Sequence, residues 1–148
     1  MNSNFNEIID RLFIGNSRST EEYEFDLVVN CTKDIPFPTT YSPHCVRIAI
    51  YDDPYESESM IRQITETGVL EQIHHHITNK KTVLVHCLMG MQRSCALVAC
   101  YLIRYKSLDI ESAIHLIRSK RPVAFLGHVN LWNAIDAFYK NTDRWNEL

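Results

Sequence analysis

An α/β fold is expected for this chain: a single domain with one central, mixed or largely parallel sheet of four or five strands, flanked by helices. Three observations predict it. Short apolar runs of strand length, such as Leu27 to Asn30 and Thr82 to Val85, alternate with longer segments of helical period. The second of these runs leads straight into a glycine-containing loop and then an apolar helix, Ser94 to Tyr105. In a parallel sheet that order opens a ligand crevice at the C-terminal edge of the strands. A length of 148 residues with 45% hydrophobic content is enough for one substantial core and leaves no room for a second.

The elements follow in order. A strand pair is expected around Ile8 to Gly15, then a short helix to Glu24 capped by Ser19 or Thr20. Leu27 to Asn30 reads as a buried strand. Cys31 to Pro43 holds three prolines without a period and reads as loop. Val46, Ile48 and Ile50 alternate with Arg47, Ala49 and Tyr51, which is strand period. Asp52-Asp53-Pro54 breaks that strand, and Ser57 or Ser59 can cap a helix to about Thr78, with Gly68 its weak point. Asp109 caps a helix with the stripe Ile110, Ala113, Ile114 and Ile117. A last helix from about His128 to Tyr139 should bury Leu131, Trp132, Ile135 and Phe138.

The segment His86-Cys87-Leu88-Met89-Gly90-Met91-Gln92-Arg93-Ser94 carries the chemistry, because a cysteine and an arginine stand six positions apart where a strand becomes a helix. Unpaired N–H groups at a helix start bind anions. The helix dipole and the arginine charge favour thiolate over thiol at Cys87, making it a nucleophile near neutral pH. Arg93 offers a planar fork that can hold two phosphate oxygens, which a lysine cannot. The backbone of Leu88, Met89, Gly90, Met91, Gln92 and Arg93 would bind the phosphoryl group. His86 reads as a structural imidazole that fixes the loop.

Expulsion of an alkoxide or phenoxide from phosphorus needs a proton donor on a loop over the phosphate site. Asp52 and Asp53 follow a strand at the same sheet edge and are the candidates.

Other features point away from alternatives. A net charge of −3 and a pI near 6.1 leave no basic footprint for nucleic acid. Arg118 to Arg121 and Lys80-Lys81 read as solvated helix ends. His74-His75-His76 are consecutive on a helix and point in different directions, so no metal site is expected, and no cofactor. The longest apolar run, Cys95 to Ile103, is too short for a membrane span. Five cysteines and no secretory signal imply a reducing cytoplasmic setting, with the nucleus equally open. Cys95 and Cys100 read as core, and Cys31 or Cys45 as small buried hydrophobes or as a resolving thiol for an oxidised Cys87.

The signature segment resembles that of the cysteine-dependent protein tyrosine phosphatase superfamily, and the whole chain, 1–148, resembles its small dual-specificity branch. Arg11 to Asn16, Phe25 to Thr32, Val46 to Asp53 and Lys120-Arg121-Pro122 are similar, in the right order, to that branch's weaker motifs. The resemblance implies that Cys87 attacks phosphorus, Arg93 and the loop amides hold its oxygens, Asp52 rather than Asp53 is the acid, and Ser94 hydrogen-bonds the thiolate released in the second step. It implies a phosphorylated protein partner carrying phosphotyrosine, phosphoserine or phosphothreonine. Members often have a small residue where Met89 stands, and a Pro-Asn pair where Leu126 and Gly127 stand; the missing asparagine's support would fall to Gln92 or Asn16. RNA 5′-phosphatase and phosphoinositide phosphatase activities, or a non-catalytic phospho-binding module, are the alternatives. The oligomeric state leaves no trace in the sequence.

Overall fold

The computed structural model describes residues 3–141. Five strands form one sheet in the order β1-β2-β5-β3-β4. β1 (Phe5–Ile9) runs antiparallel to β2 (Leu12–Gly15), whereas β2, β5 (Val83–His86), β3 (Leu27–Asn30) and β4 (His44–Arg47) are parallel to their neighbours. β5 is central, and its four residues are all buried. This is why Val83, Leu84 and Val85 read as a continuous apolar run rather than an alternation.

The two faces of the sheet are covered unequally. Leu12, Ile14, Leu27, Val29, Val83 and Val85 face a core shared with α2 (Ser57–Thr67), α3 (Val69–Thr78), α4 (Arg93–Lys106), α5 (Ile110–Lys120) and α6 (Trp132–Lys140). Val28 and Leu84 point the other way, into a cluster with Phe5, Phe13, Phe25 and Phe37. The rings of Phe5, Phe13 and Phe25 meet edge to face, 5.2–5.8 Å between centroids. The short α1 (Ser19–Glu22) lies beside this cluster through Tyr23. α4 is buried from Ser94 to Ile103, as expected of a helix that is apolar on nearly every side.

Several boundaries differ from the sequence reading for local reasons. Ser19 is no cap: it is buried inside α1, and its hydroxyl donates to the Asn4 carbonyl at 3.0 Å. The helix expected to run to Thr78 is two helices. Gly68 adopts φ 63° and separates α2 from α3, a left-handed break that glycine accepts without penalty. Neither Ser57 nor Ser59 caps α2; instead Asp53 caps the 3₁₀ turn Pro54–Glu56 by accepting from the Tyr55 N–H at 2.9 Å. Beyond β4, Ile48 and Ile50 keep the alternation expected of a strand and are fully buried, but they lie outside the strand pairing. α6 starts at Trp132, which is 42% exposed rather than buried, while Leu131, Ile135 and Phe138 fill the core as expected. Asp109 caps α5, accepting from the Ser112 N–H at 2.8 Å.

Candidate active site

Cys87 follows the last residue of β5, and Arg93 is the first residue of α4. The five residues between them form a loop whose carbonyl oxygens all turn outward to partners. Leu88 O accepts from Ser17 N at 3.1 Å, Met91 O from Phe125 N at 2.7 Å, and Gln92 O from Ala96 N at 2.8 Å. The Arg121 guanidinium takes Gly90 O at 2.7 Å and Met89 O at 3.2 Å. Each trans peptide sets its N–H opposite its own carbonyl, so with these carbonyls taken from outside, the N–H groups of Met89 to Arg93 turn to the other side of the loop, and among the described residues no acceptor takes them. Such a row of successive N–H groups is an anion nest.

Gly90 makes the turn possible. Its φ is +66°, and a Cβ there would stand 2.6 Å from Gly15 O and 2.7 Å from an Arg121 nitrogen. Any side chain would clash on both sides.

Arg121 is a buttress. The basic cluster of Arg118 to Arg121 reads from the sequence as solvated, but Arg121 is only 2% exposed and also donates to Ser3 O at 3.0 Å and Asn6 Oδ1 at 2.7 Å. It ties the loop to the strand-β1 end of the chain. Arg118 caps the following turn, donating to Ala124 O at 3.3 Å and Phe125 O at 2.8 Å. An arginine just after a helix, ahead of Pro122, gives no pattern signal of burial, so only its resemblance to a motif pointed to this position.

The Cys87 sulfur lies 3.2 Å from Ser94 Oγ, and both are buried. Arg93 Nη1 donates to Ile50 O at 3.1 Å, which links the loop to the segment that precedes Asp52. His86 is buried, with Nδ1 3.2 Å from Cys87 O, and burial lowers its pKa so that the ring stays neutral.

Asp52 and Asp53 separate cleanly. Asp52 is exposed and lines a cleft of about 400 Å³ together with Cys87, Arg93, Leu88, Met89 and Met91. Asp53 is spent on the Tyr55 N–H. Gln92 is the loop support in place of the absent asparagine: it is buried, donates to His128 O at 2.6 Å and accepts from Asn130 N at 3.0 Å. Asn16 does not serve as direct support. Its side chain holds Asn4 and the Arg18 N–H, and its neighbour Ser17 is the residue that reaches the loop.

Of the two thiols weighed as partners of Cys87, strand register separates them. Asn30 is level with His86, and Cys31 N donates to His86 O at 2.8 Å, so Cys31 stands beside Cys87. Cys45 is level with Val28 and Leu84, three rows back, and exposed. Burial pushes the Cys31 and Cys95 thiols well above their usual range and keeps both protonated.

The three consecutive histidines diverge. His74 stacks on Tyr105 at 4.1 Å and bonds the Tyr101 hydroxyl, His75 stays outside, and His76, which the sequence places on the helix surface, is buried and donates to Gln72 O at 2.8 Å. Among the described residues no group of three or more His, Cys, Asp or Glu could hold a metal ion. No described helix is long and apolar enough to cross a membrane.

Comparison with known proteins agrees with this geometry. The chain is 31% identical over 122 residues to protein 123R of Invertebrate iridescent virus 6, which is named as a tyrosine phosphatase; the match covers 80% of this chain and 81% of that one. It is 37% identical over 70 residues to the phosphatidylglycerophosphate phosphatase PTPMT1 of Arabidopsis thaliana, covering 47% of this chain and 20% of the relative. The crystal structure of human DUSP28 superposes with a TM-score of 0.85 at 22% identity over 97% of both chains. Residues 13–141, from β2 through the loop of Cys87 to the end of α6, match the model of the dual specificity phosphatase catalytic domain, and the chain belongs to that family of cysteine-dependent protein phosphatases.

Proposed function

We propose that this dual-specificity phosphatase works through Cys87, Arg93, Asp52 and Ser94 on phosphotyrosine, phosphoserine and phosphothreonine of protein substrates. The observation that carries the reading is the nest itself: five successive carbonyls are held by outside donors, which leaves the amides of Met89 to Arg93 free to meet an anion beside Cys87. A phosphoryl group seated there has the thiolate below it and the Arg93 fork beside it.

In the first step the Cys87 thiolate attacks phosphorus, the P–O bond to the side chain breaks, and Asp52 gives its proton to the departing oxygen. In the second, water attacks phosphorus and loses its proton to the Asp52 carboxylate. The P–S bond then breaks, and the Ser94 hydroxyl, 3.2 Å from the sulfur, donates to the thiolate as it is released. The chain's short length leaves little to build deep walls around the cleft, which supports action on the shorter phosphoserine and phosphothreonine as well.

A second reading, a phosphorylated lipid headgroup, is favoured by the exposed apolar side chains of Leu88, Met89 and Leu126 around the cleft and by the plant relative's named activity. The test compares purified protein on phosphotyrosyl, phosphoseryl and phosphothreonyl peptides and on phosphatidylglycerophosphate vesicles, with acid quench and mass spectrometry of the cysteine peptide. Peptide turnover with phosphate trapped on Cys87 is expected, and it should persist in EDTA. Turnover of vesicles alone would replace the protein reading with the lipid one.

A further inference from the structure

We infer that Asn130 is a positioning residue that orients the Asp52 carboxylate for proton transfer and ties it to the nucleophile loop through Gln92. The inference rests on the reading of Asp52 as the acid and adds to it the device that aims the acid.

Asn130 Nδ2 donates to Asp52 Oδ1 at 2.7 Å. The two residues are far apart in the chain, and Asn130 lies in the turn just before α6. Its backbone is held from the other side: Gln92, buried in the loop next to Arg93, accepts from Asn130 N at 3.0 Å and donates to His128 O at 2.6 Å. One glutamine amide therefore grips both ends of a three-residue segment. That segment places an amide nitrogen against the acid, and all four groups line the same cleft as Cys87.

The chemistry of the contact follows from donor count. An ionised carboxylate only accepts, so the amide must present its nitrogen to it. Oδ1 is then committed to Asn130, leaving Oδ2 to carry the proton, and the transferable proton sits on a defined oxygen instead of being shared between two. Asp52 itself is exposed and lies on a turn, where an untethered carboxylate would rotate freely. Arg93 to Ile50 O is a second tether, two residues upstream of the acid. Together they make the acid's position depend on the same loop that binds the phosphate.

Steady-state kinetics over a series of aryl phosphates with graded leaving groups tests this, using Asp52→Asn, Asn130→Ala, Asn130→Asp and the Asp52→Asn/Asn130→Ala double variant. Asn130→Ala should lower kcat about tenfold for the poorest leaving groups, from loss of one orienting hydrogen bond. KM should change little, and the effect should shrink toward good leaving groups that need no proton. Asn130→Asp should lose at least as much, because an ionised carboxylate cannot donate and repels Asp52. In the Asp52→Asn background Asn130→Ala should add no further loss. Melting temperatures should stay near wild type, since the backbone bond to Gln92 survives both substitutions. A loss uniform across the series, a full additional loss in the double variant, or no loss in either Asn130 variant overturns the inference while the acid assignment stands. An Asp52→Asn protein with an unchanged leaving-group dependence overturns the acid assignment and the inference together.

Discussion

The loop from Cys87 to Arg93 and the turn from Asp52 to Glu56 face each other across one cleft, and they are built in opposite ways. The first is anchored at every peptide. Its carbonyls are held by Ser17, Arg121, Phe125 and Ala96, its glycine is locked against Gly15, and its cysteine and glutamine are buried. The second lies on the surface and hangs from side chains: Asp53 on Tyr55 N, Glu56 on Tyr51 N at 3.0 Å and Lys33 at 3.2 Å, Asp52 on Asn130. Charge on phosphorus must be met by dipoles that do not reorganise, whereas a proton donor must reach substrates of different depth. On the proposed reading, the anion site is anchored through its backbone and the acid is aimed by side chains alone.

The largest effect should come from the rigid side. Cys87→Ser should abolish turnover of any aryl phosphate while phosphopeptide binding, read by calorimetry, persists, because the nest and Arg93 do not depend on the sulfur. Retained turnover would move the nucleophile elsewhere and dissolve the comparison.

Arg121→Met asks whether the anchoring matters as a whole. It leaves the Gly90 and Met89 carbonyls without their guanidinium partner, and Ser3 O as well. At about 1–3 kcal/mol for each buried polar group left unsatisfied, a loss of roughly 3 kcal/mol is expected, seen as a melting temperature lower by about 10 °C. Turnover should fall with it even at temperatures where the protein is folded. A stable variant with full activity would show that the loop holds its shape without external anchors.

On the adjustable side, Asp52→Asn should reduce turnover about 100-fold for substrates with poor leaving groups. Asp53→Asn should cost far less activity and some order in the 3₁₀ turn, since its carboxylate faces the Tyr55 amide. Equal or reversed effects, measured on one poor-leaving-group substrate, would exchange the two roles. Ser94→Ala should slow the second step about tenfold, in line with loss of one hydrogen bond to a charged group; rapid-quench kinetics would then show a burst of alcohol or phenol followed by a slower steady state.

The smallest effect concerns Glu56. The Tyr51 N–H and then Lys33 hold its pKa below the ordinary value of 4.5. A depressed folded-state pKa means that the stabilising contribution is present above the ordinary value and is lost as pH falls through the folded one. Glu56→Gln should therefore lower the melting temperature slightly at pH 7, and the difference should shrink as the pH falls through the lowered folded-state pKa, where wild type loses the same interaction. A difference that persists in acid would assign the effect to packing.

The fold class was legible in the sequence alone, and Cys87 and Arg93 already stood out there as the candidate nucleophile and its candidate fork. These reside in local features: three consecutive apolar residues in β5, a glycine in the turn, and a cysteine and an arginine at a spacing that one strand–loop–helix unit can satisfy. The sequence also placed the α5 cap at Asp109, because a cap is made within one turn. Tertiary structure decided everything that needs a partner far along the chain. Arg121 becomes a buttress only because α5 brings it against the loop and β1. Gln92, not Asn16, supports the loop because of where residues 128–130 pass. Asp52 is in the cleft and Asp53 is not because the 3₁₀ turn claims the second carboxylate. Asn130, unmarked by any motif, meets Asp52 only when the turn before α6 folds back over the sheet edge. A side chain's type is written at its own position, but the atom it faces is set by the whole path of the backbone.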